Sequence, residues 1–263
     1  MYFYKENSII TTNYKEEENF YKPLSYEECC KENQKLMKQE TSPLHLACQK
    51  NDLQLIYSQI ETFKQFLDFK DINDNTPLFC VFNRKNISKI YSFQIINILY
   101  DNGCNIHATN KYSQNILHQA CLYNIPEIIE FLCQKGLDIN KQDIFLKTPI
   151  HYACEFGLID NAIVLIMNKC LVQINNSTLQ PLHILCISDN INLELQIDFV
   201  KLLLKHGANI NSTHKIFGYS PLHSACQKNN FLLVYFLLEN KANPNIQQSQ
   251  GNTPLHVSYD LDI

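Results

Sequence analysis

The stretch TPIHYAC, residues 148–154, decides the fold because it recurs along the chain. Aligned on its second place it reads SPLHLAC at Pro43, TPLFCVF at Pro77, NILHQAC at Ile116, QPLHILC at Pro181, SPLHSAC at Pro221 and TPLHVSY at Pro254, with its own proline at Pro149. Successive steps are 34, 39, 33, 32, 40 and 33 residues, a period near 33 with two longer units. Self-similarity at such a period marks a stacked array, in which no single unit can bury its apolar face alone.

Each unit follows one scheme. A Ser, Thr, Asn or Gln stands first, where its side chain can accept a backbone N–H as a helix N-cap, and proline follows at the first helical position, where no N–H is needed. A second amphipathic run comes about ten residues later, as in PEIIEFLCQKG (126–136) and QIDFVKLLLKHG (196–207), and closes on Gly or Lys before a polar stretch with Asn. Gly103, Gly136 and Gly207 sit where a helix C-terminus needs a left-handed residue. The period and the TPLHxA-type motif resemble ankyrin repeats. The unit ends HGANIN (206–211) and KGLDIN (135–140) resemble that family too, and the match spans residues 41–263, about six and a half units. The resemblance implies an all-α ankyrin-repeat solenoid: stacked antiparallel helix pairs with β-hairpin or loop fingers.

The expected organisation is therefore an N-terminal extension, 1–40, and a repeat domain, 41–263, with repeats starting near 42, 76, 115, 148, 180, 220 and 253. The extension is Tyr-rich and charged, and Ser25 to Glu28 reads as a capping box opening a helix to about Met37. Such a helix would cap the stack; the alternative is a mostly disordered tail. The array departs from the family pattern in several places. Phe79 replaces the motif histidine in unit two, and Ile116 replaces proline in unit three. Units two and five carry extra residues in 83–94 and 187–197, expected to lengthen a helix or form a loop opposite the fingers. The last unit stops after its first helix. That leaves the apolar side of Phe236, Leu237 and neighbours partly covered, with the half unit acting as a cap or the natural chain continuing past Ile263.

Composition narrows the function. The chain is 45% hydrophobic and 18% charged, as folded domains are, with a net charge of -4. Arg84 is its only arginine and the lysines are dispersed, which argues against a nucleic-acid surface. The apolar run FLLVYFLL (231–238) is far short of a bilayer span, so no membrane insertion is expected. The opening MYFYKENSII lacks a signal-peptide pattern, and eleven cysteines without one point to a reducing compartment, cytoplasm or nucleus. Neither a Gly-rich phosphate loop nor a Gly-x-Ser-x-Gly elbow occurs, so the sequence makes no case for an enzyme or a cofactor.

The His-x-x-Cys pairs of the motif have metal-site spacing, at His45/Cys48, His118/Cys121, His151/Cys154, His183/Cys186 and His223/Cys226. Corresponding residues of stacked units are separated by about 8–10 Å, the spacing of packed helices. Two zinc ligands lie within about 4.6 Å of one another. Adjacent pairs therefore cannot close one site, and cysteine here reads as a small apolar filler. The family resemblance implies that the histidine links neighbouring turns by hydrogen bonds.

The resemblance also implies a protein partner, held by the finger tips and first helices. The tips, three places before each N-cap, are Asn73, Tyr112, Phe145, Ser177, Phe217 and Gln250. The inner face of the first helices brings Leu46/Lys50, Cys80/Arg84, Gln119/Tyr123, Tyr152/Phe156, Ile184/Ser188 and Ser224/Lys228. Candidate partner-binding residues are thus Tyr112, Tyr123, Phe145, Tyr152, Phe156, Ile184 and Phe217, with Lys50, Arg84 and Lys228 as a basic rim. An exposed aromatic cluster is the usual composition of an interface centre; the alternative is that these rings only cover the core. The expected molecule is a monomeric, non-enzymatic interaction module. Open alternatives are the recognition arm of a ubiquitin-ligase adaptor, channel or signalling enzyme, and a host-directed microbial effector.

Overall fold

The computed structural model describes residues 41–62, 64–82, 89–174, 179–189 and 191–259. The expected helix from Ser25, Arg84 and the tip of unit five, Ser177, lie outside these residues. Each full unit is a helix pair: α1 (Pro43–Lys50) with α2 (Leu53–Thr62), α3 (Pro77–Cys80) with α4 (Lys89–Asp101), α5 (Ile116–Ala120) with α6 (Pro126–Gln134), α7 (Pro149–Glu155) with α8 (Ile159–Met167), α9 (Pro181–Ile187) with α10 (Leu193–Lys205), and α11 (Pro221–Gln227) with α12 (Phe231–Glu239). α13 (Pro254–Tyr259) opens the seventh. Among the described residues there is no strand, so the fingers are built of turns. The longer units are longer in their second helices: α4 and α10 have 13 residues, against 9 in α6, α8 and α12.

The motif starts each first helix by local chemistry. Ser42, Thr76, Asn115, Thr148, Gln180 and Ser220 are extended N-cap residues. In five of them the histidine three places on completes a reciprocal cap, its Nδ1 accepting the cap residue's N–H at 2.9–3.3 Å. With Nδ1 accepting, the proton must sit on Nε2. Nε2–H donates to the residue just before the next unit's cap: His45 to Asn75 O at 2.9 Å, His118 to Lys147 O at 3.2 Å, His151 to Leu179 O at 3.0 Å, His183 to Tyr219 O at 3.0 Å and His223 to Asn252 O at 3.1 Å. Each ring thus ends its own helix start and clamps the following finger. Burial holds these imidazoles below the usual histidine range, and His151 and His183 fall to about 4.

Unit two is the exception. Phe79 stands in the histidine's place, and the buried Thr76 hydroxyl has no hydrogen-bond partner. α3 is only four residues long, and Phe82 beyond it is fully buried.

The core is a ladder of matching positions. Leu44, Leu78, Leu117, Ile150, Leu182 and Leu222 are all buried, whereas Leu255 at the same register is 66% exposed. In the second helix of unit six, Leu237 is buried and Phe236 half-buried. The uncovered side chains there are Phe231, Leu232, Tyr235 and Leu238 instead. Two places before the cap, each described finger turns through a left-handed residue: Asp74, Ser113, Leu146, Gly218 and Gly251. Leu146 takes φ 61, a conformation that strains a branched side chain.

Candidate binding surface

The fingers are tied to one another at their tips. Lys111 N donates to Asn73 O at 2.9 Å, Ile144 N to Tyr112 O at 3.0 Å and Ser249 N to Phe217 O at 2.9 Å. Within a finger one polar side chain fixes the turn. Asp143 accepts from Phe145 N at 2.8 Å and Lys147 N at 2.9 Å, and Asp71 does the same for Asn73 and Asn75. These bonds hold the tip side chains outward. Phe145 is 62% exposed, Phe217 53% and Tyr112 40%. Ile72, Ile144 and Ile216 stand exposed beside them. Sequence reasoning singled out one residue per tip and passed over these neighbours, whose signal was an isoleucine adjoining a tip position.

The inner face of the first helices is different. Tyr123 is half-buried, stacks on Phe82 at 5.9 Å and donates its hydroxyl to Phe82 O at 2.5 Å, which pins it to the preceding unit. Tyr152 is half-buried as well. Its hydroxyl donates to Asp143 at 2.6 Å and accepts from Gln114 at 2.8 Å, and its ring packs edge-on against His118. Burial, then the Asp143 carboxylate, push its phenol well above the ordinary tyrosine range. Phe156 is exposed.

Ile184 corrects the expectation of an exposed residue: it is buried, as are Cys80 and Ser224 at the same register. At the same register Leu46, Gln119 and Tyr152 are half-buried. The basic rim is also reduced. Lys228 is ion-paired with Asp189 from the unit before, while Lys50 is exposed. The structure therefore exposes a fingertip ridge, Ile72, Tyr112, Ile144 and Phe145 on the adjacent fingers of units two to four, with Ile216 and Phe217 exposed on the finger of unit six, and leaves Tyr123 and Tyr152 half-buried and Ile184 buried.

Among the described residues no group of three or more His, Cys, Asp or Glu side chains is placed to hold a metal ion. Burial raises the thiols of Cys104, Cys170 and Cys186 to about 12, which keeps them protonated at neutral pH. No helix of the described residues is long and apolar enough to cross a membrane.

Comparison with known proteins agrees with this architecture. A family model described as ankyrin repeats (3 copies) matches residues 44–143, 87–178, 142–214 and 192–261. The B-cell lymphoma 3 protein homolog of Mus musculus is 30% identical over 229 residues, covering 82% of this chain and 48% of that protein. The chain thus spans about half the length of that curated relative. Among solved structures, the ankyrin repeat domain of Bcl-3, a member of the IkappaB protein family, superposes with a TM-score of 0.65 at 24% identity, covering 82% of this chain and 93% of that one. The human ASB11 ankyrin repeat domain gives 0.69 at 22%, covering 82% and 91%.

Proposed function

Since the chain belongs to the ankyrin-repeat family, we propose that it is a non-enzymatic protein-interaction module whose partner lies across the fingertips of units two, three, four and six. The observation that carries this reading is the exposure of Ile72, Tyr112, Ile144 and Phe145 on adjacent fingers, and of Ile216 and Phe217 on the finger of unit six, on turns that backbone hydrogen bonds hold in place. Apolar and aromatic side chains on a rigid support lose little entropy on binding, and clustered exposure of this kind marks interaction surfaces. The reading includes a monomer acting in the cytoplasm or nucleus, where its many thiols stay reduced.

The test is affinity capture from a lysate of the source cell, comparing the natural chain with F145A/F217A. Both residues are exposed, so the variant keeps its helical circular dichroism. A partner lost with the variant supports the ridge; a partner held equally by both overturns it. A second reading, the recognition arm of a larger protein, is favoured by the chain spanning about half of its mouse relative. The intact mass of the natural protein from its source decides that question.

A further inference from the structure

The seam between units two and three holds a polar site that shares only Tyr112 with the fingertip ridge. At the other five joints an imidazole N–H reaches the carbonyl of the residue before the next cap. At this seam that carbonyl belongs to Gln114. It accepts from Asn110 N at 3.1 Å, as its counterparts accept within their own fingers, but Phe79 brings it no donor from the preceding unit. A carbonyl oxygen has two lone pairs, and the second is the one histidine uses elsewhere.

A pocket of about 250 Å³ opens at this place, lined by Asn73, Asn75, Phe79, Asn110, Tyr112, Gln114 and Gln119. It is smaller than the roughly 300–1,000 Å³ of small-molecule clefts, and suits one side chain. Five of its seven walls are carboxamides, and none is a carboxylate or an amine. The inner amides are locked. Gln114 Oε1 accepts from Asn110 Nδ2 and from Gln119 Nε2, both at 3.0 Å, and Gln114 Nε2 donates to Tyr152. Asn75 Nδ2 donates to Asp71 at 3.2 Å. Among the described residues the Asn73 side-chain amide and Gln119 Oε1 carry no hydrogen bond and remain available, alongside the Gln114 carbonyl.

Three acceptors and the Asn73 amide N–H donor beside Phe79 complement a group that is planar, uncharged, and both donor and acceptor. We propose that this pocket binds a side-chain carboxamide, Asn or Gln, presented by a bound polypeptide. A carboxylate is disfavoured because the walls offer acceptors without a cation, and Asp71 lies just behind them. An aliphatic chain would leave the same acceptors unpaired, which is how polar sites reject apolar analogues. The polypeptide source rests on the interaction-module reading above; the carboxamide recognition does not need it.

The test uses the whole isotopically labelled chain and the probe N-acetyl-glutamine N-methylamide, followed by NMR. Saturable shifts are expected at the side-chain amides of Asn73, Gln114 and Gln119, with the glutamate and leucine analogues at least tenfold weaker. F79H should weaken the glutamine probe tenfold or more, because an imidazole N–H then occupies the Gln114 carbonyl. Q119L, which removes one acceptor and one of the two amide bonds to Gln114 Oε1 while leaving the Gln114 carbonyl without an imidazole donor, should weaken it severalfold. No saturable shift with the glutamine probe, equal binding of the three analogues, or binding unchanged in both variants would overturn the proposal. Because no partner is used, the pocket can fail while the fingertip ridge stands, and the reverse.

Discussion

The joint between units four and five and the joint between units two and three are built from the same backbone but differ in one ring. In the first, Thr148 N and its hydroxyl meet His151 Nδ1, each at 2.9 Å, and the opposite nitrogen clamps Leu179 O. In the second, Phe79 fills the space apolarly and leaves the Thr76 hydroxyl buried and unpartnered. Burial of apolar surface is therefore common to both joints, and the hydrogen-bonded clamp is an addition that one joint lacks. Hydrophobic packing makes the stack; the imidazoles fix its register and stiffness.

Acid should distort this contrast most. His151 and His183 fall to about 4 in the fold through burial, from an ordinary value near 6.5. A group whose folded value is depressed gives stability that is fully present above the unfolded value and lost as pH falls toward the folded one. The window is thus from about pH 6.5 down to about pH 4, with roughly 3 kcal/mol at stake for each of the two rings. The physical event is a proton arriving on Nδ1, which faces the cap N–H and can no longer accept it. Hydrogen exchange should show protection collapsing around units four to six between pH 6.5 and 4.5 while the seam of units two and three loses less. Uniform loss along the chain would break the comparison.

Exchanging the two side chains is the next strongest test. H151F should convert the fourth joint into a likeness of the second and cost about 2–3 kcal/mol in urea unfolding, since a buried donor and acceptor lose their partner together. The reciprocal F79H gives the Thr76 hydroxyl and the Gln114 carbonyl a partner and should stabilise by about 1 kcal/mol. If F79H destabilises instead, unit two holds its phenylalanine for packing that histidine cannot replace, and the seam is not a histidine joint with a missing part.

Much of the fold was legible because its signals are local. N-cap, proline and histidine fall within four residues of one another, so α1, α7, α9 and α11 begin where the motif places them. The departure at Phe79 was equally visible, but not its effect, since Thr76 and Gln114 are brought to it only by the stack. The binding surface was less legible for the same reason. Ile184 is hidden and Lys228 is neutralised by Asp189, 39 residues away, and neither contact leaves a trace in the neighbouring sequence. Gly alone also under-reported the left-handed turns, because Asp74, Ser113 and Leu146 adopt the backbone that Gly218 and Gly251 adopt more cheaply.

Arrays of this kind are held unit to unit in series. A tensile load along the axis is carried equally by every joint, and the seam that lacks the imidazole clamp, tied by Tyr123 to Phe82 O and by Lys111 N to Asn73 O, is expected to give way first. Two units are fewer than the roughly three that a repeat array needs to stand alone. Parting at the seam would therefore release units one and two as unfolded slack while units three to six stay wound. A pulling trace whose first step frees the whole stack at once would contradict this. By this reasoning Phe79 would make units one and two of the array a mechanical fuse.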